Sequence, residues 1–598
     1  MKTDEKIAAL RGLMEEKGID VYYVPNGDDH LSDEYVADYF KSKSWLSGFS
    51  GDSGAVVVTK DFAGLWTDGR YFTQAEKELA GSCVELMRMA QAGVPDVRDF
   101  AVDAVPENGV LGFDGSVISA SEAMTLSKRL SAKHARLHTS DDLVGQVWGK
   151  QRPKMPEGKL FVLAKKYTGT GAEERIAQTR EAMKNAGADV LVLTQLEDPC
   201  WLFNVRGDDI ACTPVPYAFA MLTAKKAYYY VDRAKLTPQT EAHLKKAGVT
   251  VKGYKALASD LAKLRNKTIW TDLAKLNTVL YQALDQSNSV INRRSPIVMF
   301  RAVKNNTEIK NIRNAHVKDG VAMVKFLKWV KEHADQNLNE VSAQNHLYAL
   351  RAEGKDYIEP SFTTICAYRA NAAMMHYSAT GQDYAEISPD GFLLVDSGGT
   401  YKDGTTDITR TIALGALSET EKKYYTMVLK GHLALSRAKF LYGTTGNNLD
   451  ILARGPMWSM DIDYQCGTGH GVGHVLSVHE GPHGIRWGMN PSRPNAVLEP
   501  GMVVTDEPGI YLPGELGIRI ENELLVTKGT RNFYGQFLYF EDLTYCPYER
   551  EAIVPSLLSD EELAQLNAYH RNVCEVLSPY LEGEELEWLK QACAEIDR

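Results

Sequence analysis

Apolar positions recur along this chain with two different periods, and the changes of period mark out its parts. Near the start, Ile7-Ala8-Ala9-Leu10 opens an amphipathic run that meets Gly18, and the apolar stretch Tyr22-Tyr23-Val24 follows. Helical spacing, then glycine, then a short apolar run predict a helix, a stop and a buried strand. The same series recurs at Ile176-Ala177-Gln178-Thr179, Gly187 and Leu191-Val192-Leu193, at matching spacing. Each copy continues through a Trp-Leu pair that ends in glycine (Trp45-Leu46 to Gly51; Trp201-Leu202 to Gly207) and a β-rich stretch with Asp68-Gly69-Arg70 or Asp232-Arg233. Chance recurrence of helix–glycine–strand units is the plainer explanation, but the tryptophan match favours duplication of one α/β domain.

The pattern then changes. A helix is predicted from about Asn306 to His333, followed by Gly- and Asp-rich β-hairpins between about Pro360 and Leu414. A helical stretch to about Arg454, a β-rich region to about Cys546 and a helical tail from Ser559 complete the chain. Mixed helices and hairpins of this kind indicate an α+β domain. The linker-like stretch Lys150–Gly158 and the run Asn292-Arg293-Arg294-Ser295-Pro296 set the expected boundaries: α/β domains over 1–154 and 155–298, and an α+β domain over 299–598.

Composition narrows the function. With 598 residues and a net charge of −11, the chain lacks the basic excess that phosphate neutralisation needs, so no nucleic-acid partner is expected. The longest apolar pieces, such as Gly54–Thr59 and Ala227–Val231, are strand-sized, so no membrane span is expected. No apolar leader follows Met1, and none of the eight cysteines forms Cys-x-x-Cys; cytoplasmic localisation is the expectation.

The chemistry lies in the last domain. Gly391-Phe392-Leu393-Leu394-Val395-Asp396 is an apolar strand ending in a carboxylate, and Asp407 sits inside the β-branched run that follows. A lone Asp at a strand end is usually a turn cap. Asp407, however, stands where an unpartnered Asp is disfavoured. A second hairpin repeats the theme. Met502–Asp506 leads to Glu507, and the return strand Gly517–Val526 is expected to set Arg519, Glu521 and Glu523 on one face, with Ile518 and Ile520 on the other. Between the hairpins lies Gly467-Thr468-Gly469-His470-Gly471-Val472-Gly473-His474, which lacks the Gly-Lys-Ser/Thr ending of a phosphate loop. Buried carboxylates need cations. Four of them with one imidazole form an oxygen-rich set that suits Mn²⁺, Co²⁺ or Zn²⁺, and a pair of such ions activates water and polarises a carbonyl.

The order Asp396, Asp407, His470, Glu507, Glu521 resembles the five-ligand set of the pita-bread metallopeptidases, which include methionine aminopeptidase, prolidase and aminopeptidase P. Val395–Gly398, Asp403–Thr411, Gly467–Gly473, Val478-His479-Glu480-Gly481-Pro482 and Asp506–Gly509 are most similar to the long, three-domain, cytosolic form of aminopeptidase P. Val24-Pro25, Asp29, His30, Ser47-Gly48-Phe49 and Trp66–Phe72 in the first domain are typical of that form. The resemblance implies a pita-bread catalytic domain behind two creatinase N-terminal-like domains, and release of the first residue from peptides with proline second. It implies two divalent ions, by expectation manganese. Asp407 and Glu521 would bridge them, with Asp396 on one ion and His470 and Glu507 on the other. A bridging water would attack the scissile carbonyl, with Glu507 as its proton acceptor. His376 and His479 would face the substrate, and Arg519 would hold a bridging carboxylate. A homodimer is implied as well.

One position departs: many relatives carry His four places before the metal histidine, where this chain has Cys466. Because some short relatives use the second His of such a pair as ligand, His474 competes with His470; the glycine pattern favours His470. Two other functions fit less well. A prolidase-type dipeptidase needs only one N-terminal domain, and a non-catalytic pita-bread binding protein typically loses ligands. Creatinase-like chemistry dispenses with the metal set.

Overall fold

Two six-stranded sheets with one topology fill the first half of the chain. The computed structural model describes residues 1–32, 35–488 and 495–598. The first sheet holds β1 (Val21–Pro25), β2 (Ala55–Thr59), β3 (Ala63–Thr67), β4 (Glu85–Arg88), β5 (Val110–Gly112) and β6 (Arg136–His138), in spatial order 4-3-2-1-5-6. The second holds β7 (Val190–Leu193), β8 (Ala218–Thr223), β9 (Ala227–Val231), β10 (Val249–Lys252), β11 (Thr268–Thr271) and β12 (Ser289–Asn292), in order 10-9-8-7-11-12. Strand directions correspond one for one: each central strand is antiparallel to the next in sequence and parallel to the strand on its other side. The helices feeding β1 and β7 end alike. Gly18 and Gly187 have φ of 62° and 69°, a left-handed conformation that favours glycine. In each case the following amide, of Ile19 or Ala188, donates back to a Met carbonyl, Met14 at 2.8 Å or Met183 at 2.9 Å.

The chain divides into two compact units, one of Met1–Leu163 with Thr170–Ile297 and one of Ala164–Gly169 with Val298–Arg598. Both sheets belong to the first unit. The short segment Ala164–Gly169 belongs to the second, where Tyr167 donates to Asp356 Oδ2 at 3.0 Å and Asn305 Nδ2 to the Thr168 carbonyl at 2.9 Å.

In the second unit a 28-residue helix runs from Asn306 to His333, opened by Asn305, whose side chain accepts from the amides of Thr307 and Glu308. Its Met323, Phe326, Leu327 and Val330 pack against Leu393, Val395, Ile408 and Ile412. These belong to a three-stranded antiparallel sheet: β13 (Ile365–Tyr368), β14 (Phe392–Ser397, central) and β15 (Ile408–Ala413). The helix Glu419–Ser436 buries Tyr425, Val428 and Leu429 against Ile510, Ile518 and Ile520. Ile518 and Ile520 belong to a stretch expected as one strand over 517–526. It is two: β18 (Leu516–Arg519) pairs with β17 (Gly509–Leu512), and β19 (Asn522–Asn532) pairs with β16 (Val503–Asp506). The break falls at Ile520-Glu521. Because period-two alternation sends Leu393, Val395, Ile408, Ile412, Ile518 and Ile520 to the helices, Asp396, Thr409, Thr411, Arg519 and Glu521 point the other way.

Candidate metal site

Three side chains from three separate strand segments converge. Asp407 precedes β15, His470 lies on a two-residue strand (Gly469–His470), and Glu521 occupies the break between β18 and β19. One ligand-capable atom from each lies within 4.8 Å of the others. The His470 Nε2 atom stands 3.4 Å from Asp407 Oδ2 and 3.6 Å from Glu507 Oε1. Asp396, expected in the same set, sits at the flank, where its Oδ2 accepts from Arg519 Nη2 at 2.5 Å while its buried Oδ1 has no hydrogen-bond partner among the described residues.

Each group is held from behind. The His470 amide donates to Thr505 Oγ1 at 3.0 Å, and the Thr505 hydroxyl donates to Glu507 Oε1 at 3.2 Å. His470 Nδ1 lies 3.0 Å from the Gly471 carbonyl. A carbonyl only accepts, so Nδ1 donates there and Nε2 is the ring nitrogen turned toward the two carboxylates. An imidazole nitrogen and carboxylate oxygens gathered in this way form a donor set that a cation can occupy. The glycines around His470 serve packing: a Cβ on Gly469 would lie 1.9 Å from the Thr505 carbonyl oxygen, and one on Gly471 2.1 Å from that of Glu480.

Arg519 differs from expectation. It was expected on a bridging carboxylate, Asp407 or Glu521; its ion pair is with Asp396 instead. The strand break explains this, since Arg519 leaves on β18 before the chain turns into Glu521. Thr409 joins the two, donating to Glu521 Oε2 at 2.8 Å and accepting from Arg519 Nε at 3.2 Å. Tyr511 lies 2.7 Å from Arg519 Nη1. Sequence reasoning assigned no role to Thr409, Thr505 or Tyr511. The one available signal was Thr409 and Thr411, two apart on a strand with Arg410 between them, which puts both hydroxyls on the carboxylate face.

The electrostatics point to cations. Burial, followed by repulsion from Asp407, Glu507 and Asp396, pushes the Glu521 carboxyl well above its ordinary range. Burial also raises Asp407 to about 6, with Asp396 and Glu507 adding to the rise and His470 opposing it. Four carboxylates face one guanidinium here, and charges buried without compensation are costly. The donor set, oxygen-rich with one imidazole, fits hard or borderline divalent ions.

The other histidines separate clearly. His474 is buried with Nε2 3.0 Å from the Tyr167 carbonyl oxygen, outside the carboxylate cluster. His479 is exposed, its ring edge-on to His470 at 4.3 Å between centroids. His376 lies on the loop between β13 and β14, half-buried. Cys466 is partly buried against the apolar core that also contacts Tyr511, and its carbonyl accepts from Arg454 at 3.3 Å.

The chain is similar to known proteins along its whole length. The model of metallopeptidase family M24 matches residues 310–528, and that of the C-terminal region of peptidase M24 matches 536–596. Two models of the creatinase/prolidase N-terminal domain match 6–146 and 151–308. The chain is 38% identical over 610 residues to a "probable Xaa-Pro aminopeptidase P" of Laccaria bicolor, covering 99% of this chain and 94% of that one. It is also 38% identical to "aminopeptidase P1" of Arabidopsis thaliana, covering 98% of each. X-prolyl aminopeptidase from Caenorhabditis elegans, described as a cytosolic enzyme with a di-nuclear active site, matches with a TM-score of 0.94 and 33% identity over the whole of both chains. An Xaa-Pro dipeptidase from Bacillus anthracis, 26% identical with a TM-score of 0.50, covers only 63% of this chain but 99% of its own. With its pita-bread domain behind two creatinase N-terminal-like domains, the chain belongs to metallopeptidase family M24, in the aminopeptidase P branch.

Proposed function

We propose that this protein is an Xaa-Pro aminopeptidase, a metal-dependent hydrolase that removes the first residue from peptides whose second residue is proline. The observation that carries this reading is the convergence of Asp407, His470 and Glu521, flanked by Asp396 and Glu507, in a chain that matches aminopeptidases P over its full length. When bound, two divalent cations supply an activated water and polarise the scissile carbonyl. Asp396, Asp407, His470, Glu507 and Glu521 would hold the ions, with Asp407 and Glu521 serving both, and the oxygen-rich set would favour manganese, with cobalt or zinc as substitutes. Glu507, kept in line by Thr505, would accept the proton of the attacking water. His479, edge-on to His470, and His376 face the peptide and stabilise negative charge developing on the carbonyl oxygen. Arg519 holds Asp396 directly and Glu521 through Thr409.

The chain is organised as domains over 1–154, 155–298 and 299–598. It works in the cytoplasm, as its Caenorhabditis elegans relative is described, and as a homodimer. The strongly exposed Phe533 and Tyr534, at 97% and 76%, offer apolar surface for association. A prolidase reading is less favourable, because the dipeptidase leaves more than a third of this chain unmatched. Turnover of Ala-Pro-Ala, Ala-Ala-Ala and the dipeptide Ala-Pro by manganese-loaded protein, with products identified by mass, tests the function. Release of alanine from Ala-Pro-Ala alone is expected; equal turnover of both tripeptides defeats the proline specificity, and preference for the dipeptide supports prolidase.

A further inference from the structure

Glu340 lies far from the carboxylate cluster in sequence and carries no role in the reaction above. It opens the helix Glu340–Ala352, and its side chain is wholly buried. Among the described residues no Lys, Arg or His pairs with it. Its two oxygens instead collect donors from one loop. Oε1 accepts from the Tyr368 amide at 2.7 Å and Asn371 Nδ2 at 3.0 Å. Oε2 accepts from the Tyr377 hydroxyl and the Ala385 amide, both at 2.7 Å, and from Asn371 Nδ2 at 3.2 Å. The negative charge sits at a helix N-terminus, where the backbone dipoles favour it, and charge-assisted hydrogen bonds of this length are strong.

These donors bracket the loop that carries His376. Tyr368 ends β13, Tyr377 follows His376 directly, and Ala385 stands on the return toward β14. The loop also packs onto the sheet face that bears Asp396. Leu394, two residues before Asp396 and on the same side, shares one apolar cluster with Ala372, Tyr377 and Ala379. On the other flank, the Ala372 carbonyl approaches Gly517 so closely that a Cβ there would lie 1.8 Å from it. Gly517 is two residues from Arg519. The loop is thus pinned beside Asp396 and Arg519, with the Glu340 carboxylate as its polar anchor.

We propose that Glu340 is a positioning residue for His376, fixing through Tyr368, Asn371, Tyr377 and Ala385 the loop that presents this imidazole to the peptide. The proposal rests on the reading of His376 as a substrate-facing group. Glutamine cannot replace the carboxylate, because its NH₂ group would meet donors on whichever side it faced.

A double-mutant cycle on the manganese-loaded enzyme with a Pro-second peptide tests it. Glu340→Gln is expected to lower kcat tenfold or more, with KM and bound metal within twofold of the parent. In the His376→Ala background the same change is expected to cost nothing further, because the group it positions is gone. Tyr377→Phe, which deletes one donor, is expected to give a smaller loss with the same coupling, and it decides the matter if Glu340→Gln does not fold. Leu347→Ala, a buried apolar change on the same helix, is expected to lower the melting temperature but keep kcat. Additive losses in the cycle, or a parental kcat in Glu340→Gln, overturn the proposal. A parental kcat in His376→Ala itself overturns the reading of that histidine, and the proposal with it.

Discussion

Replacing Thr409 by valine deletes one oxygen and keeps a β-branched side chain of nearly the same shape. The strand is expected to survive, since the residue pairs with Asp396 in the β14–β15 register. What disappears is the hydroxyl that donates to Glu521 Oε2 at 2.8 Å and accepts from Arg519 Nε at 3.2 Å. A hydrogen bond to a charged group is worth about 1.5–3 kcal/mol net. At about 1.4 kcal/mol per factor of ten, the loss corresponds to roughly ten- to a hundredfold in metal affinity. Glu521 is buried and repelled by Asp407, Glu507 and Asp396, so removing a donor that steadies its ionised form acts on a group whose charge is already disfavoured. Affinity is read by competition with a chelator of known strength, and kcat at saturating manganese. Metal affinity and kcat both within twofold of the parent in Thr409→Val would show that the hydroxyl does not organise Glu521.

Asp407→Asn and Glu521→Gln are expected to lose more metal on dialysis than Asp396→Asn, because a bridging carboxylate serves both ions; full occupancy with unaltered activity in Asp407→Asn places the site elsewhere. His470→Ala is expected to abolish activity and His474→Ala only to weaken it, since His474 is bonded to the Tyr167 carbonyl away from the cluster; the opposite ranking, from the same assay, contradicts this. Cys466→Ser is expected to keep parental metal stoichiometry by elemental analysis, and a drop would make the thiol a ligand. In metal-free protein, Asp407 holds its proton up to about pH 6 against an ordinary value of 3.8. Between these values the native state binds more protons than the unfolded chain, so metal-free stability falls as pH rises through the window and stays low above it. Metal displaces those protons, so the gap in melting temperature between manganese-loaded and chelated protein is expected to widen from about pH 4 to pH 6; a gap independent of pH rules this out.

The patterned elements are legible in the sequence. The helix Asn306–His333 follows from its apolar period, and the paired sheets from two series that stop at Gly18 and Gly187. These are local properties: a period of apolar residues, a capping side chain and a left-handed glycine act within a few positions. The order of acidic and imidazole residues was legible too, because charges in apolar strands demand partners wherever the chain takes them. Other features depended on long-range placement. The alternation of Ile518, Arg519, Ile520 and Glu521, continued by the apolar Leu524-Leu525-Val526, reads as one strand, yet Arg519 pairs through β17 and Asn522 through β16, and Arg519 pairs with Asp396. Thr409 acquires meaning only when β15 meets Glu521, 112 positions away. The buried Glu340 resembles any helix-opening acid until Tyr368, Asn371, Tyr377 and Ala385 close around it. Hydrogen bonds at 3 Å depend on tertiary register, which side-chain period leaves open; the sequence alone determines which groups must find partners, and the packed strands and loops decide which partners they find.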